Sequence, residues 1–354
     1  MLLKDLSKIM KRILITGGCG FIGAHCVEHI IKNTDWDIAV LDRLNYASSG
    51  FDRLRDIQAF DDKRVHIFTA DFTKPIEDGL EKEIGDLDYI IHMGAETHVD
   101  NSITNPEPFV MSNVIGTMRM LDFAKRQKNL QLFIYFSTDE VFGPAPEGTA
   151  YKEWDRYNSG NPYAAAKAGG EELVLAYANT YKIPAIITHT MNCFGERQHP
   201  EKFIPMTIRK VLQNEVVTIH ANKEKTKAGS RFYIHCRNVA SAIHFLINKY
   251  SENKSLKFGD KFNIVGEKEV DNLELAQFIA KVVNNWQIEN NLEPKALIYE
   301  MVDFHSSRPG HDLRYALDGT KMKEMGWDIP KNFEESMEKT VRWYLNNKKW
   351  LGLE

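Results

Sequence analysis

Short apolar runs of strand length alternate with helix-length stretches through the first two hundred residues. Strands are predicted at Arg12–Thr16, Ile38–Leu41, Val65–Thr69, Tyr89–Met93, Gln131–Phe136 and Ala185–Thr190. Most of these runs are continuously apolar rather than alternating, as strands covered on both faces must be. The segments between them, among them Phe21–Asn33, Phe109–Gln127 and Tyr163–Tyr181, are long enough for crossover helices. Such alternation implies an α/β fold with a doubly wound parallel sheet. After Asn192 the rhythm becomes irregular. The Lys-rich Asn222–Lys227 reads as a solvated loop, Lys261–Val265 as a strand, Leu273–Asn285 as a helix and Phe333–Asn346 as a closing helix. No repeat, low-complexity tract or flexible linker is visible. Residues 11–191 are therefore read as one domain and 192–354 as mainly a smaller lobe, some of whose segments return to the sheet. The site is expected in the cleft between them.

Composition narrows the partners. Lys and Arg number 45 against 49 Asp and Glu, a net charge of −4 in 354 residues. That balance gives no electrostatic ground for nucleic acid or an anionic membrane as partner. No apolar run approaches the ~20 residues of a membrane span, and Met1–Arg12 mixes charges with a few Leu, so no signal-peptide core forms. Cys19, Cys26, Cys193 and Cys236 lie far apart without a CxxC pair. Neither a disulfide framework nor a zinc site is expected, and a reduced cytoplasmic setting fits best.

The first predicted strand runs straight into Gly17-Gly18-Cys19-Gly20-Phe21-Ile22-Gly23 and then a helix. Glycines at 17, 20 and 23 permit a tight turn, close approach of backbone to a pyrophosphate, and close helix–strand packing. The N–H groups at the helix start then receive the anion. The second strand ends at Asp42, nineteen residues beyond Gly23, where a carboxylate can accept both ribose hydroxyls and repel a 2′-phosphate. The pattern predicts a Rossmann-type dinucleotide site that takes NAD in preference to NADP, with Arg43 as the one feature that favours the phosphorylated form. Asp71, after the third strand, reads either as a contact to the adenine edge or as a plain turn residue.

Two further segments carry chemistry. Ser137-Thr138-Asp139-Glu140 follows a buried strand, and Tyr163 and Lys167 stand four apart on a predicted helix, hence on one face. A lysine cation beside a phenol lowers its pKa, so the phenolate can take a proton from a hydroxyl. Alone, a YxxxK pair is commonly an exposed helix pair, and Asp139-Glu140 a helix-start acidic pair. Downstream of the glycine loop, the two segments together read as a proton relay.

TGGCGFIG, YxxxK and the strand-end Thr138 resemble the extended short-chain dehydrogenase/reductase superfamily. FSTDEVFG, HMGAETHVDNSI, PEKFIP and RPGHDLRYALD resemble, within it, the nucleotide-sugar 4,6-dehydratases, and the likeness runs from about Lys11 to Leu345. It implies an NAD-dependent lyase acting on a nucleotide-diphosphoglucose, with dTDP-glucose placed before UDP-glucose. The implied roles are Tyr163 as base at O4, Thr138 as the hydroxyl that orients O4, Glu140 as base at C5 and Asp139 as acid at C6. Asp139 is expected to be held protonated by its neighbouring carboxylate and by burial. The resemblance also implies cofactor contacts from Phe21, Ile22, Asn45, Phe72, Met93, Gly94, Ala95, Thr97 and Ser112. For the nucleotide sugar it implies Thr97, Asn192 at the end of the sixth strand, and Lys202, Arg231, Asn272 and Arg308 around the diphosphate. His92 and His98 near Glu96 and Asp100 could suggest a metal, but the segment matches the family's cofactor loop and no metal is expected. The family pairs as a homodimer through helices matching Phe109–Gln127 and Tyr163–Tyr181; Val110, Val114, Met118 and Leu121 lie at helical spacing there, equally a core pattern.

Departures from the family sit toward the nucleotide end. Asn192-Cys193-Phe194-Gly195 replaces Asn-Asn-Tyr-Gly, Arg231-Phe232-Tyr233 replaces Arg-Asp-Trp, and Ala221–Ser230 is longer and more basic than usual. The nucleobase is left open between thymine, uracil and another. The rival enzymes are a 4-epimerase or a uronate decarboxylase, neither of which needs the Asp139–Glu140 pair. A catalytically silent nucleotide-binding protein would have no use for Thr138, Tyr163 and Lys167.

Overall fold

The computed structural model describes residues 10–252, 257–304 and 313–353. The first part runs β1 (Arg12–Thr16), α1 (Phe21–Asn33), β2 (Asp37–Asp42), α2 (Asp52–Asp56), β3 (Val65–Thr69), α3 (Asp78–Ile84), β4 (Tyr89–His92), α4 (Val99–Thr104), α5 (Glu107–Val110), α6 (Thr117–Arg126), β5 (Leu132–Thr138), α7 (Pro162–Tyr181) and β6 (Ala185–Thr190). The second runs β7 (Asn192–Phe194), α8 (Phe203–Gln213), β8 (Val217–Ala221), β9 (Ser230–His235), α9 (Cys236–Glu252), β10 (Lys261–Ile264), β11 (Glu269–Asp271), α10 (Asn272–Glu289) and β12 (Tyr299–Asp303), then helices Thr320–Glu324 and Phe333–Asn346.

Seven parallel strands form the central sheet in the order β3-β2-β1-β4-β5-β6-β10. Apart from the edge strand β3, its apolar runs are buried on both faces. Ile13 and Ile15 pack with Val27 and Ile243 on one side, while Leu14 between them packs with Leu121 and Val174 on the other. That division is why these strands lack an alternating pattern. β1 lies between β2 and β4, so the winding reverses at its C-terminal end, where ligands settle in open α/β sheets. In the second part, β11-β9-β7 and β12-β8 form two small sheets. Their core joins Ile208, Ile279, Val341 and Tyr344 from α8, α10 and Phe333–Asn346. β10 leaves this part and pairs with β6 at the edge of the main sheet.

Two expectations shift. The helix expected over Phe109–Gln127 is present but not α-helical throughout: between α5 and α6 the helical backbone passes through a π-helical stretch, Met111–Gly116. It packs Gly116 where a Cβ would stand 2.6 Å from Phe72, and it aims Asn113 at the backbone of Glu96 through two 2.9 Å hydrogen bonds. A π-turn of this kind is a common device for re-aiming side chains at a site. Asn192 does not end the sixth strand; β6 stops at Thr190 and Asn192 opens β7. The Lys-rich loop is exposed, and the Asn222 carboxamide closes it by accepting from the Thr226 and Lys227 amides.

Candidate active site

A cavity of about 400 Å³ opens at the ends of β1, β4 and β5 and reaches under α8. Gly17, with φ +70°, turns the chain out of β1. Gly23 is required by contact: a Cβ there would stand 2.1 Å from the Gly17 carbonyl. Gly20 caps α1 without a side chain, so the first amides of the helix face the cavity unclaimed. At the end of β2 the buried Asp42 accepts from the amides of Cys19 (3.0 Å) and Leu44 (2.9 Å), which leaves acceptor capacity for two hydroxyls. Burial raises its pKa above the ordinary carboxylate value despite those bonds. Arg43 is ion-paired with Glu96, which also accepts from Asn45.

Phe21, Ile22, Asn45, Phe72, Met93, Gly94, Ala95, Thr97 and Ser112 all line the cavity. Ser112 is 1% exposed and its hydroxyl has no protein partner. Asp71 does not line the cavity. Its carboxylate accepts from the Thr73 amide at 2.9 Å, the plain-turn arrangement. His92, Glu96 and His98 do not converge: His92 joins Thr16 and Thr117, Glu96 joins Arg43, and His98 caps α4. A dinucleotide fits the donors and acceptors present. The glycine cradle accepts no side chain, Asp42 keeps free lone pairs, and Ser112 is an orphaned buried hydroxyl.

Thr138, Asp139, Glu140, Tyr163 and Lys167 converge on the same cavity. Thr138 ends β5, donates to Asp139 Oδ1 at 3.0 Å and accepts from the Glu140 amide at 3.3 Å. Asn161, the N-cap of α7, donates to Glu140 Oε2 at 3.0 Å and so ties that carboxylate to the helix that carries Tyr163. Asp139 is 3% exposed, its Oδ2 has no protein partner, and burial raises its pKa to about 6. Of the two expected causes, burial is the main one; the neighbouring residue acts the other way, since the backbone hydrogen bond from Glu140 lowers the pKa.

The expected pairing of phenol and ammonium is also corrected. Tyr163 is raised above the ordinary phenol value, first by burial and then by Glu140, while a hydrogen bond with Thr138 pulls the other way. Lys167 donates to the Phe136 carbonyl at 2.6 Å and lies 4.2 Å from the centre of the Tyr135 ring. Burial lowers its own pKa to about 7, against the pull of Glu171 one helical turn on. Buried without a carboxylate in contact, the ammonium takes a carbonyl and a ring face instead.

Beneath these residues lies a charged cluster that the sequence did not single out. Glu171, fully buried, accepts from Ser137 and Tyr157, lies 3.1 Å from His189 Nε2 and 3.5 Å from Lys261 Nζ. His189 Nδ1 continues to Asn263 Oδ1 at 2.9 Å. A charge inside an apolar helix–strand layer announces itself only when its partners, from distant segments, are seen together.

Of the expected substrate residues, Asn192 and Lys202 line the cavity. Arg231 and Asn272 stand behind its wall. Arg231 donates to the Ser230 and Leu313 carbonyls and lies over Tyr315, and Asn272 accepts from the cavity-lining Tyr233 at 2.9 Å. Arg308 lies outside the described residues. Asn161, Gln198 and Arg53 were not anticipated, and Tyr233 was noted only as a departure toward the nucleotide end. Asn161 alone carried a sequence signal, Asn followed by Pro at a helix start.

The sequence matches the family described as GDP-mannose 4,6 dehydratase over residues 14–340. It is 34% identical over 360 residues to a dTDP-glucose 4,6-dehydratase of Salmonella typhimurium, covering 96% of this chain and 94% of that one. It is likewise 34% identical to a trifunctional protein of Arabidopsis thaliana that includes a UDP-glucose 4,6-dehydratase, covering 97% of this chain and 48% of that one. Among solved structures, the dTDP-glucose 4,6-dehydratase of Streptomyces venezuelae, with NAD bound, superposes with a TM-score of 0.81 at 30% identity, covering 96% of this chain and 98% of that one.

Proposed function

The chain belongs to the GDP-mannose 4,6-dehydratase family, and from that membership and the cavity we propose that it is an NAD-dependent nucleotide-sugar 4,6-dehydratase acting on a nucleotide-diphosphoglucose. One observation carries the reading. A hydroxyl, a carboxyl poised near pH 6, a carboxylate and a phenol, from Thr138, Asp139, Glu140 and Tyr163, meet in one cavity with the glycine loop.

When bound, NAD supplies the hydride acceptor, the later donor, and a positive ring charge that favours a phenolate. Tyr163 takes the O4 proton as the sugar is oxidised, and Thr138, bonded to it, orients O4. The C4 ketone acidifies C5, whose proton Glu140 removes while Asn161 fixes the carboxylate. Asp139 hands its proton to the departing C6 hydroxyl, and its unpartnered Oδ2 is the free edge for that transfer. Glu140 then returns a proton to C5. An epimerase or decarboxylase has no use for the Asp139 acid. Lys202 and Asn192 would meet the diphosphate and sugar from the cavity wall, with Arg231 behind them. dTDP-glucose is placed before UDP-glucose on the Salmonella and Streptomyces relatives, and the Arabidopsis relative keeps uracil in view.

Deuterium at C4 of the substrate tests the cycle. It should appear at C6 of a product lighter by one water, with no net consumption of NAD; label retained at C4, or released in free NADH, overturns the reading. The proposal extends to a cytoplasmic homodimer. The four cysteines are free thiols, and Val110 and Met111 are apolar yet exposed beside α7, whereas Leu121 is core. Sedimentation as a monomer at micromolar concentration removes the dimer.

A further inference from the structure

Arg53, on α2, is 1% exposed and lines the cavity. Its Nε donates to the Arg197 carbonyl at 2.9 Å. Its Nη1 donates to the carbonyls of Ala47 (2.9 Å), Ser48 (2.5 Å) and Cys19 (3.4 Å). Nη2 is buried and has no protein partner. The guanidinium lies 5.6 Å from the centre of the Trp350 ring. Asp42, Cys19, Tyr344 and Arg197 are the charged or titratable groups that act on it, and among the described residues no carboxylate reaches it as an ion pair. Arg197, the second cation here, is paired with Asp56.

A buried guanidinium with four carbonyls and one idle nitrogen is unusual, because carbonyls satisfy its donors without neutralising its charge. Three of those carbonyls belong to the glycine loop and the stretch after β2, which wall the cofactor half of the cavity. In a dinucleotide the group that is anionic at neutral pH is the diphosphate. We propose that Arg53 binds the cofactor diphosphate through Nη2, while its other nitrogens tie the glycine loop and the 46–48 turn to the Arg197 backbone of the second lobe. The assignment rests on the dinucleotide reading above. It gives the chain a phosphate ligand outside its glycine loop and a direct link from the cofactor to the wall facing the substrate.

The test uses the full chain as purified with bound NAD, and measures displacement of NAD by ADP and by adenosine. Wild type should prefer ADP. In Arg53→Met that preference should fall by about 10- to 100-fold, the worth of one charge-assisted contact, and Arg53→Lys should restore part of it. The ratio is taken within one variant, so partial unfolding, which affects both ligands alike, does not move it. If Arg53→Met does not fold, the Arg53→Lys ratio decides. An unchanged ratio means that Arg53 only ties carbonyls and overturns the proposal. So does a loss confined to thymidine diphosphate binding by the NAD-loaded protein, which would put the contact on the substrate. Neither readout needs turnover, so failure of the dehydratase reading shows separately in the C4 label.

Discussion

Replacing Asp139 by Asn should stabilise the protein while disabling it, and the gain should depend on pH. Burial raises this carboxyl from an ordinary 3.8 to about 6. The folded state therefore holds the proton more tightly than the unfolded state does. Stability from this group is fully present below pH 3.8 and is lost as pH rises through about 6. Above that, holding the ionised carboxylate costs about 3 kcal/mol, roughly two units at 1.36 kcal/mol each. At pH 5 the same relation gives about 1.6 kcal/mol. Asn carries no charge, so Asp139→Asn relative to wild type should gain about 1.4 kcal/mol more at pH 8 than at pH 5. The Thr138 hydrogen bond to Oδ1 survives, and any difference at the unpartnered Oδ2 position is constant with pH and cancels in the contrast. Urea unfolding of both proteins at the two pH values, saturated with NAD, measures it. Turnover should fall about 10²–10⁴-fold. A stability difference that is the same at both pH values would refute the burial argument, and full activity would remove Asp139 from the mechanism.

Glu140→Gln should slow turnover by about 10²–10⁴-fold, and incorporation of solvent deuterium at C5, followed by mass spectrometry, should stop with it. Gly23→Ala places a methyl 2.1 Å from the Gly17 carbonyl; the purified protein should carry little NAD, read from the nucleotide-to-protein ratio, and lose about 1–3 kcal/mol from the forced shift. Glu171→Ala strands Lys261 in the interior and should cost about 3–5 kcal/mol in urea unfolding; a loss below 1 kcal/mol would mean that water already reaches the cluster.

The sheet was legible because its strands are continuous apolar runs and its first turn is a glycine loop, both local patterns. The π-helical stretch at Met111–Gly116 was not, since it forms around Phe72, forty residues upstream, and leaves the apolar spacing intact. The candidate site was legible as residue types: Thr138, Asp139, Glu140, Tyr163 and Lys167 do meet. Their electrostatics were not. Proximity in sequence suggested that Lys167 acts on Tyr163, whereas burial dominates the tyrosine once the helix is packed on the sheet; for Asp139, burial was expected and is the main cause, and the expected push from the Glu140 carboxylate is not. Arg53 was illegible for the same reason, its role depending on carbonyls contributed by three other segments.

The cluster around Glu171 bears on how such a protein can diverge. Ser137, Tyr157, Glu171, His189 and Lys261 come from five stretches of chain, and each answers another's charge or hydrogen bond in the dark of the interior. Exchanging Glu171 or Lys261 alone leaves a stranded ion, and exchanging Ser137, Tyr157 or His189 takes a hydrogen bond from the buried carboxylate, so viable changes must arrive as sets, a slow route for random substitution. The exposed Asn222–Lys227 loop is under no such pact: apart from Asn222, whose carboxamide closes the turn, its side chains are exposed and can be swapped singly. Lineages descended from this architecture are expected to keep the floor beneath the reacting carbons while the rim drifts, so that new sugars' nucleotide handles are acquired without relearning the chemistry.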